Sequence, residues 1–227
     1  MDKLKKLHIL NTLQIYKSLG LEYIDDIQVI DQNNNSTKSL PNNLNNLKSV
    51  VQSCHLCQLS KTRKNVVFGE GDANANIMFI GEGPGANEDE TGKPFVGRAG
   101  ELLTKIIENV LNIKREEVYI ANIVKCRPPN NRVPTPNEVE SCLPYLLKQI
   151  NLIKPKIIIT LGATAYNNLT NDKTPISKIR GEILPFGSAK LIPTFHPSFL
   201  LRNPSAKKYV FADMKKVKRM KDLGFRF

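Results

Sequence analysis

The sequence predicts an α/β protein: a three-layer α/β/α sandwich around a central, mainly parallel four-stranded sheet. Three observations point there. Short strand-type apolar runs at 76–80 (NIMFI), 118–124 (VYIANIV), 155–162 (PKIIITLG) and 190–195 (KLIPTF) are separated by stretches with helical spacing. The run at 155–162 is continuous and β-branched, the pattern of a strand buried on both faces. The first run opens into a long glycine-rich loop, GEGPGANEDETGKPFVGRAG at 81–100, and then into the helical pattern ELLTKIIENVLNI. In an open α/β sheet, ligands bind outside the carboxyl ends of the strands, which is where this loop falls.

Taken in order, residues 1–27 carry Leu4, Leu7, Leu10, Leu13, Ile15, Tyr16 and Leu19, enough for one amphipathic helix. The Asn-rich tract DQNNNSTKSLPNNLNNL follows and reads as a linker that need not pack. This divides the chain into an N-terminal helix and linker, 1–47, and a main domain, 48–227. Cys54 and Cys57 sit on a short helix or turn with His55 exposed between them. The basic cluster KTRKN after them is either a solvated face or a phosphate contact.

In the loop after the first strand, glycines at 81, 83, 85, 92, 97 and 100 let backbone approach a ligand and expose N–H donors. The Lys-Ser/Thr ending of a P-loop is missing. Phe95, alone among small and polar residues, either plugs the core or offers a flat face to a flat ligand. The helix from 99 to 111 puts Leu102, Leu103, Ile106, Ile107 and Val110 on the face that covers the sheet.

Asn122 interrupts the second strand. A buried amide is costly unless its donors and acceptor find partners, so it is either a satisfied structural group or a functional one. Cys126 ends that strand and RPPNNRVPTPNE follows, stiffened by four prolines and carrying two arginines. Thr135, Pro136 and Glu138 form a capping box that starts a helix. Cys142 lies about two turns in, and Pro144 is expected to kink or restart the helix. Gly162 closes the third strand and ATAYNNL begins a short helix; 179–186 is loop or a small strand. The fourth strand leads into HPSFLLR at 196–202, and a basic helix from 206 to 221 carries Val210, Met214 and Val217 on its apolar face.

With 33 Lys+Arg against 21 Asp+Glu in 227 residues, the formal charge is +12 and the pI near 9.5. A polyanionic partner follows, most simply nucleic acid, although a ribosome-bound or membrane-surface protein shares this balance. No run reaches the length of a membrane span and the N-terminus lacks a signal-peptide cleavage pattern, so a cytoplasmic protein is expected. The four cysteines, at 54, 57, 126 and 142, are not expected to form disulfides in a reducing compartment. Their spacing, C-x2-C and then C-x15-C, leaves zinc and an iron–sulfur cluster both open.

GE-x-PG-x-x-ED at 81–89, followed by G-x-PFVG-x-AG-x-LL at 92–103, resembles the first motif of the family 4 uracil-DNA glycosylases, the thermophile and bacterial type with an iron–sulfur cluster. YIANIVKCRPPNNR, PKIIITLGATA and HPSFLLR match in the family's order, so the resemblance covers about residues 50–215. It implies a monofunctional, monomeric DNA repair enzyme that flips uracil out of single- or double-stranded DNA and hydrolyses its glycosidic bond. By resemblance, Glu82 and His196 are the catalytic residues. Gly83, Glu88, Phe95 and Asn122 meet the base, with Phe95 stacking on it, the Asn122 amide reading it and Glu88 crowding the position of a thymine methyl. Arg127, Arg132, Ser198, Leu200, Leu201 and Arg202 meet the DNA, Leu200 entering the gap left by the flipped nucleotide with Leu201 behind it. Cys54, Cys57, Cys126 and Cys142 fall on the ligand positions of a structural [4Fe–4S] cluster, which the resemblance favours over zinc. A related branch captures DNA covalently through a histidine after the third cysteine, and RPPNNRVPTPNE has none, which points to hydrolysis. The competing reading is a noncatalytic iron–sulfur DNA-binding module that joins a replication or repair partner through the N-terminal extension.

Overall fold

The computed structural model describes residues 28–30 and 37–225, so the helix expected within 1–27 lies outside the described residues. Strands β1 (Gln28–Ile30) and β2 (Thr37–Ser39) pair antiparallel with each other. The end of the Asn-rich tract is not a free linker. Asn43 caps helix α1 (Leu44–Gln52) by accepting the Asn46 N–H at 2.8 Å, and Leu40, Leu47 and Val51 are buried in the core.

Strand β3 (Glu70–Gly71) precedes β4 (Ile77–Gly81). Short α2 (Ala86–Thr91) and longer α3 (Arg98–Ile106) follow, the latter continuing as a π-turn over Ile107–Leu111. Next come β5 (Tyr119–Asn122), α4 (Pro136–Ile153), β6 (Ile157–Leu161), α5 (Ala163–Thr170) and α6 (Ile176–Ile179). The chain ends with β7 (Leu184–Phe186), β8 (Ala189–Thr194), α7 (Pro197–Arg202) and α8 (Lys207–Asp222).

The sheet order is β3-β5-β4-β6-β8-β7. Its four central strands are parallel and are the four apolar runs of the sequence. Two short antiparallel edge strands make six rather than four. β3 is two exposed residues with no strand signal, whereas β7 falls within the 179–186 stretch read as loop or a small strand and contains Pro185, which an edge strand tolerates.

Alternation along the central strands builds two cores. Met78, Ile80, Ala121, Ile158 and Leu191 face Leu47, Leu146, Ile150 and Tyr166 from α1, α4 and α5. Phe79, Ile120, Ile157, Ile159 and Ile192 face Leu103, Ile107, Leu200, Val210 and Met214 from the α3, α7 and α8 side. This is the three-layer sandwich. Helix α4 runs through Pro144 rather than restarting there. The N–H that proline lacks would have reached the carbonyl of Glu140, an exposed residue where water is close by.

Candidate active site and cysteine pocket

From β4 the chain passes to β5 on one side, and from β5 it crosses back to β6 on the other side of β4. The loops after β4, β5, β6 and β8 therefore meet at one rim, the switch point of the sheet. A cleft of about 580 Å³ opens there, walled by Glu82, Phe95, Asn122, Gly162 and His196. The sequence-predicted Gly83, Glu88, Arg132, Ser198 and Arg202 also line it.

The loop after β4 is held by Glu88. Its carboxylate accepts the backbone N–H of Gly85, Val96 and Gly97, each at 3.0 Å, and so ties α2 to the start of α3. Between those anchors Phe95 takes a positive φ of 52°. Two glycines make room for it. A Cβ on Gly100 would lie 1.9 Å from Phe95 O, and one on Gly81 would lie 2.6 Å from the ring and 2.4 Å from Asn122 Oδ1. Phe95 is 7% exposed and lines the cleft, so one ring serves both core and site.

Asn122 is 1% exposed, and its Oδ1 has no hydrogen-bond partner. The His196 ring, also in the cleft wall, lies 5.7 Å from the Phe95 ring, centroid to centroid. His196 Nδ1 accepts the Ser198 N–H at 3.1 Å and sits 2.7 Å from Ser198 Oγ. An accepting Nδ1 leaves the ring proton on Nε2. Burial, then the positive charge of Arg202, hold the imidazole pKa down to about 4, so the ring is neutral at neutral pH.

The four cysteines surround a second, smaller pocket with Val51, Leu56 and Tyr145. Three donors already point at sulfur: Arg63 Nη1 to Cys126 at 3.1 Å, the Lys125 N–H to Cys142 at 3.2 Å, and Tyr145 OH to Cys54 at 3.5 Å. Burial raises the thiol pKa of Cys57 and Cys126 and pushes Cys142 up to about 12. Thiolates here therefore need a cationic centre to offset desolvation, and a four-thiolate set with N–H donors onto sulfur fits an iron–sulfur group. Among the described residues no three His, Cys, Asp or Glu converge as the ligands of a single metal ion would, so the four sulfurs surround the pocket rather than one point.

The profile of the uracil DNA glycosylase superfamily matches residues 68–223. The type-4 uracil-DNA glycosylase of Thermotoga maritima is 51% identical over 172 residues, covering 74% of this chain and 89% of that one. The type-4 enzymes of Saccharolobus solfataricus and Sulfurisphaera tokodaii are 48% and 45% identical, each over 78% of this chain and over 85% and 84% of theirs. The chain belongs to the type-4 uracil-DNA glycosylases.

The remaining residues expected to meet DNA in this type-4 glycosylase are placed unequally. Leu200 is 1% exposed and belongs to the core, whereas Leu201 is 42% exposed. The expectation that Leu200 leads is therefore corrected. Its neighbour on α7, about 100° further round the helix, is the leucine available to a ligand. Arg132 is paired with Glu138 through two bonds of 2.8 and 2.7 Å, and Arg127 Nε donates to Asn131 Oδ1 at 2.8 Å. Ser198 is occupied with His196. Arg202 is exposed beside the cleft. Two residues escaped the sequence reading. Arg63 is a donor to cysteine sulfur rather than part of a solvated basic cluster, and Lys125 is a buried cation next to both sites.

Proposed function

We propose that this type-4 uracil-DNA glycosylase flips a deoxyuridine of single- or double-stranded DNA into the cleft and hydrolyses its N-glycosidic bond, leaving an abasic site. The observation that carries the reading is the sealed, partnerless Asn122 Oδ1 in the cleft wall. An unmet buried acceptor costs roughly 1–3 kcal/mol, and uracil N3–H would relieve that cost while uracil O4 accepts from the same amide. Cytosine presents an acceptor at N3 and a donor at N4, the reverse pattern, and would leave buried groups unpaired.

Phe95 supplies the stacking surface. Glu88, its carboxylate held by three backbone donors, is the fixed body placed to crowd a 5-methyl group. Cleavage leaves cationic character on the sugar and negative charge on the departing uracil. The neutral His196 then offers Nε2–H to the uracil oxygen that gains charge, helped by backbone N–H groups around Gly83. Glu82 is the carboxylate that balances the sugar cation and orients the attacking water, taking its proton as the C1′–O bond forms. No lysine lines the cleft among the described residues, which supports hydrolysis without backbone cleavage.

Cys54, Cys57, Cys126 and Cys142 would hold a [4Fe–4S] cluster. When bound, that group contributes cross-linking rather than bond chemistry, tying the segment after α1 to the end of β5 and to α4. Leu201 fills the gap left by the flipped nucleotide, with Arg202 beside it for phosphate.

Free uracil released from a uracil-containing single-stranded oligonucleotide, with the backbone intact until alkali is added, tests the reading. Glu82→Ala is expected to lower release by about 10²–10⁴-fold. Tight DNA binding with no release by the unmodified protein would instead support the noncatalytic module.

A further inference from the structure

Lys125 is 1% exposed. Its Nζ donates to the Asn122 carbonyl at 2.9 Å and to Gln149 Oε1 at 2.6 Å. Gln149, itself fully buried, donates to Phe68 O and Tyr119 OH, both at 3.0 Å. Among the described residues no carboxylate forms an ion pair with this ammonium. Burying a charge costs several kcal/mol unless its donors are met, so a methionine would be the cheaper filler if only volume mattered.

What those donors hold is the peptide after Asn122. On one side Ile123 N–H donates to Gly81 O at 2.9 Å; on the other, the Asn122 carbonyl receives Lys125. Strand β3 pairs only with Tyr119 and Ile120, and the segment before it next donates from Val67 N–H to the Lys125 carbonyl at 2.8 Å, which leaves the Asn122 carbonyl to Lys125 Nζ. With both faces clamped the peptide cannot rotate, and the Cα–Cβ bond of Asn122 keeps its direction into the cleft. Lys125 also reaches the other site: its N–H donates to Cys142 Sγ and it lines the cysteine pocket.

We propose that Lys125 is a positioning residue for base recognition, its buried ammonium locking the end of β5 so that the Asn122 amide stays aimed at the flipped uracil. This rests on the reading of Asn122 as the amide that binds uracil. Lys125 touches no substrate atom and acts through Asn122.

A double-mutant cycle of Lys125→Met and Asn122→Ala in the full-length, cluster-loaded protein tests it. The readouts are free-uracil affinity by calorimetry, kcat and KM on a single-stranded oligonucleotide, and visible absorbance. Lys125→Met is expected to keep the absorbance, to weaken uracil binding by about ten- to hundredfold, and to cause no further loss on top of Asn122→Ala. Lys125→Arg restores part of the affinity. Wild-type affinity in Lys125→Met, or an equal loss in both backgrounds, overturns the proposal while leaving the role of Asn122 intact. Wild-type affinity in Asn122→Ala alone overturns the amide reading and the proposal with it. Should Lys125→Met fail to fold or lose its absorbance, Gln149→Met, which removes the second anchor of the ammonium, goes through the same cycle with the same outcomes.

Discussion

Leu200 and Leu201 are adjacent in sequence, and exchanging each for alanine should have opposite consequences. Leu200 is 1% exposed within the core that also holds Phe95, Val210 and Met214. Truncation there leaves a cavity, and large-to-small changes at such sites cost about 2–5 kcal/mol. Leu201 is 42% exposed, so its truncation removes little from the folded state. Fully burying a leucine is worth about 1.5–3 kcal/mol, and with about two-fifths of its surface still outside, Leu201 has about 1 kcal/mol left to gain on entering the DNA stack. That corresponds to about a fivefold loss of activity on double-stranded substrate in Leu201→Ala, and to less on single strands, where no stacked gap has to be filled. The assay is the ratio of single-turnover rates on duplex and single-stranded oligonucleotides, with thermal unfolding alongside. Leu200→Ala should lower the unfolding midpoint and leave that ratio alone; Leu201→Ala should do the reverse. A ratio that falls in Leu200→Ala and not in Leu201→Ala would mean that Leu200, not Leu201, enters the stack.

Two further predictions follow from the titratable groups and the cysteines. His196 has a folded pKa of about 4 against an ordinary value near 6.5, so between those values the unfolded chain binds the extra proton. Its contribution to stability, about 3 kcal/mol, is complete above about pH 6.5 and is lost as pH falls toward 4. The acid limb of the rate profile should accordingly lie well below pH 6, and an inflection at 6.5 assigned to His196 would contradict the burial argument. Cys142→Ala should abolish the visible thiolate-to-iron absorption of the purified protein and lower its unfolding midpoint, as should iron chelation of the unaltered protein. A colourless protein that retains one zinc per chain would contradict the cluster assignment.

The central strands were legible because their apolar runs are continuous, and β6 most of all because it is buried along its whole length. The edges were not. Glu70 and Gly71 are exposed, and position 71 needs glycine because its φ is 129° and a Cβ there would fall 1.8 Å from Val118 O, a constraint that leaves no apolar trace. The Asn-rich tract misled through composition. Leu40, Leu44, Leu47 and Val51 recur at helical spacing beneath the asparagines, and the buried ones pack against the cysteine-bearing core. Asn122 stood out as an amide in an apolar strand, yet its lack of a partner is a property of the fold alone. Lys125 and Arg63 read as ordinary basic residues because what recruits them, Gln149 and Cys126, is remote in sequence. The two leucines of HPSFLLR could not be ranked until the N-cap at His196 set the phase of α7.

Base recognition in the proposed mechanism depends on the Asn122 amide, whose Oδ1 is buried without a partner. Its most direct test is the rate of uracil release by Asn122→Ala at saturating single-stranded substrate, with cluster absorbance and unfolding midpoint matched to the unaltered protein. Loss of the paired N3–H and O4 contacts predicts a fall of about a hundredfold or more. Release at the unaltered rate would show that the cleft recognises uracil without this amide.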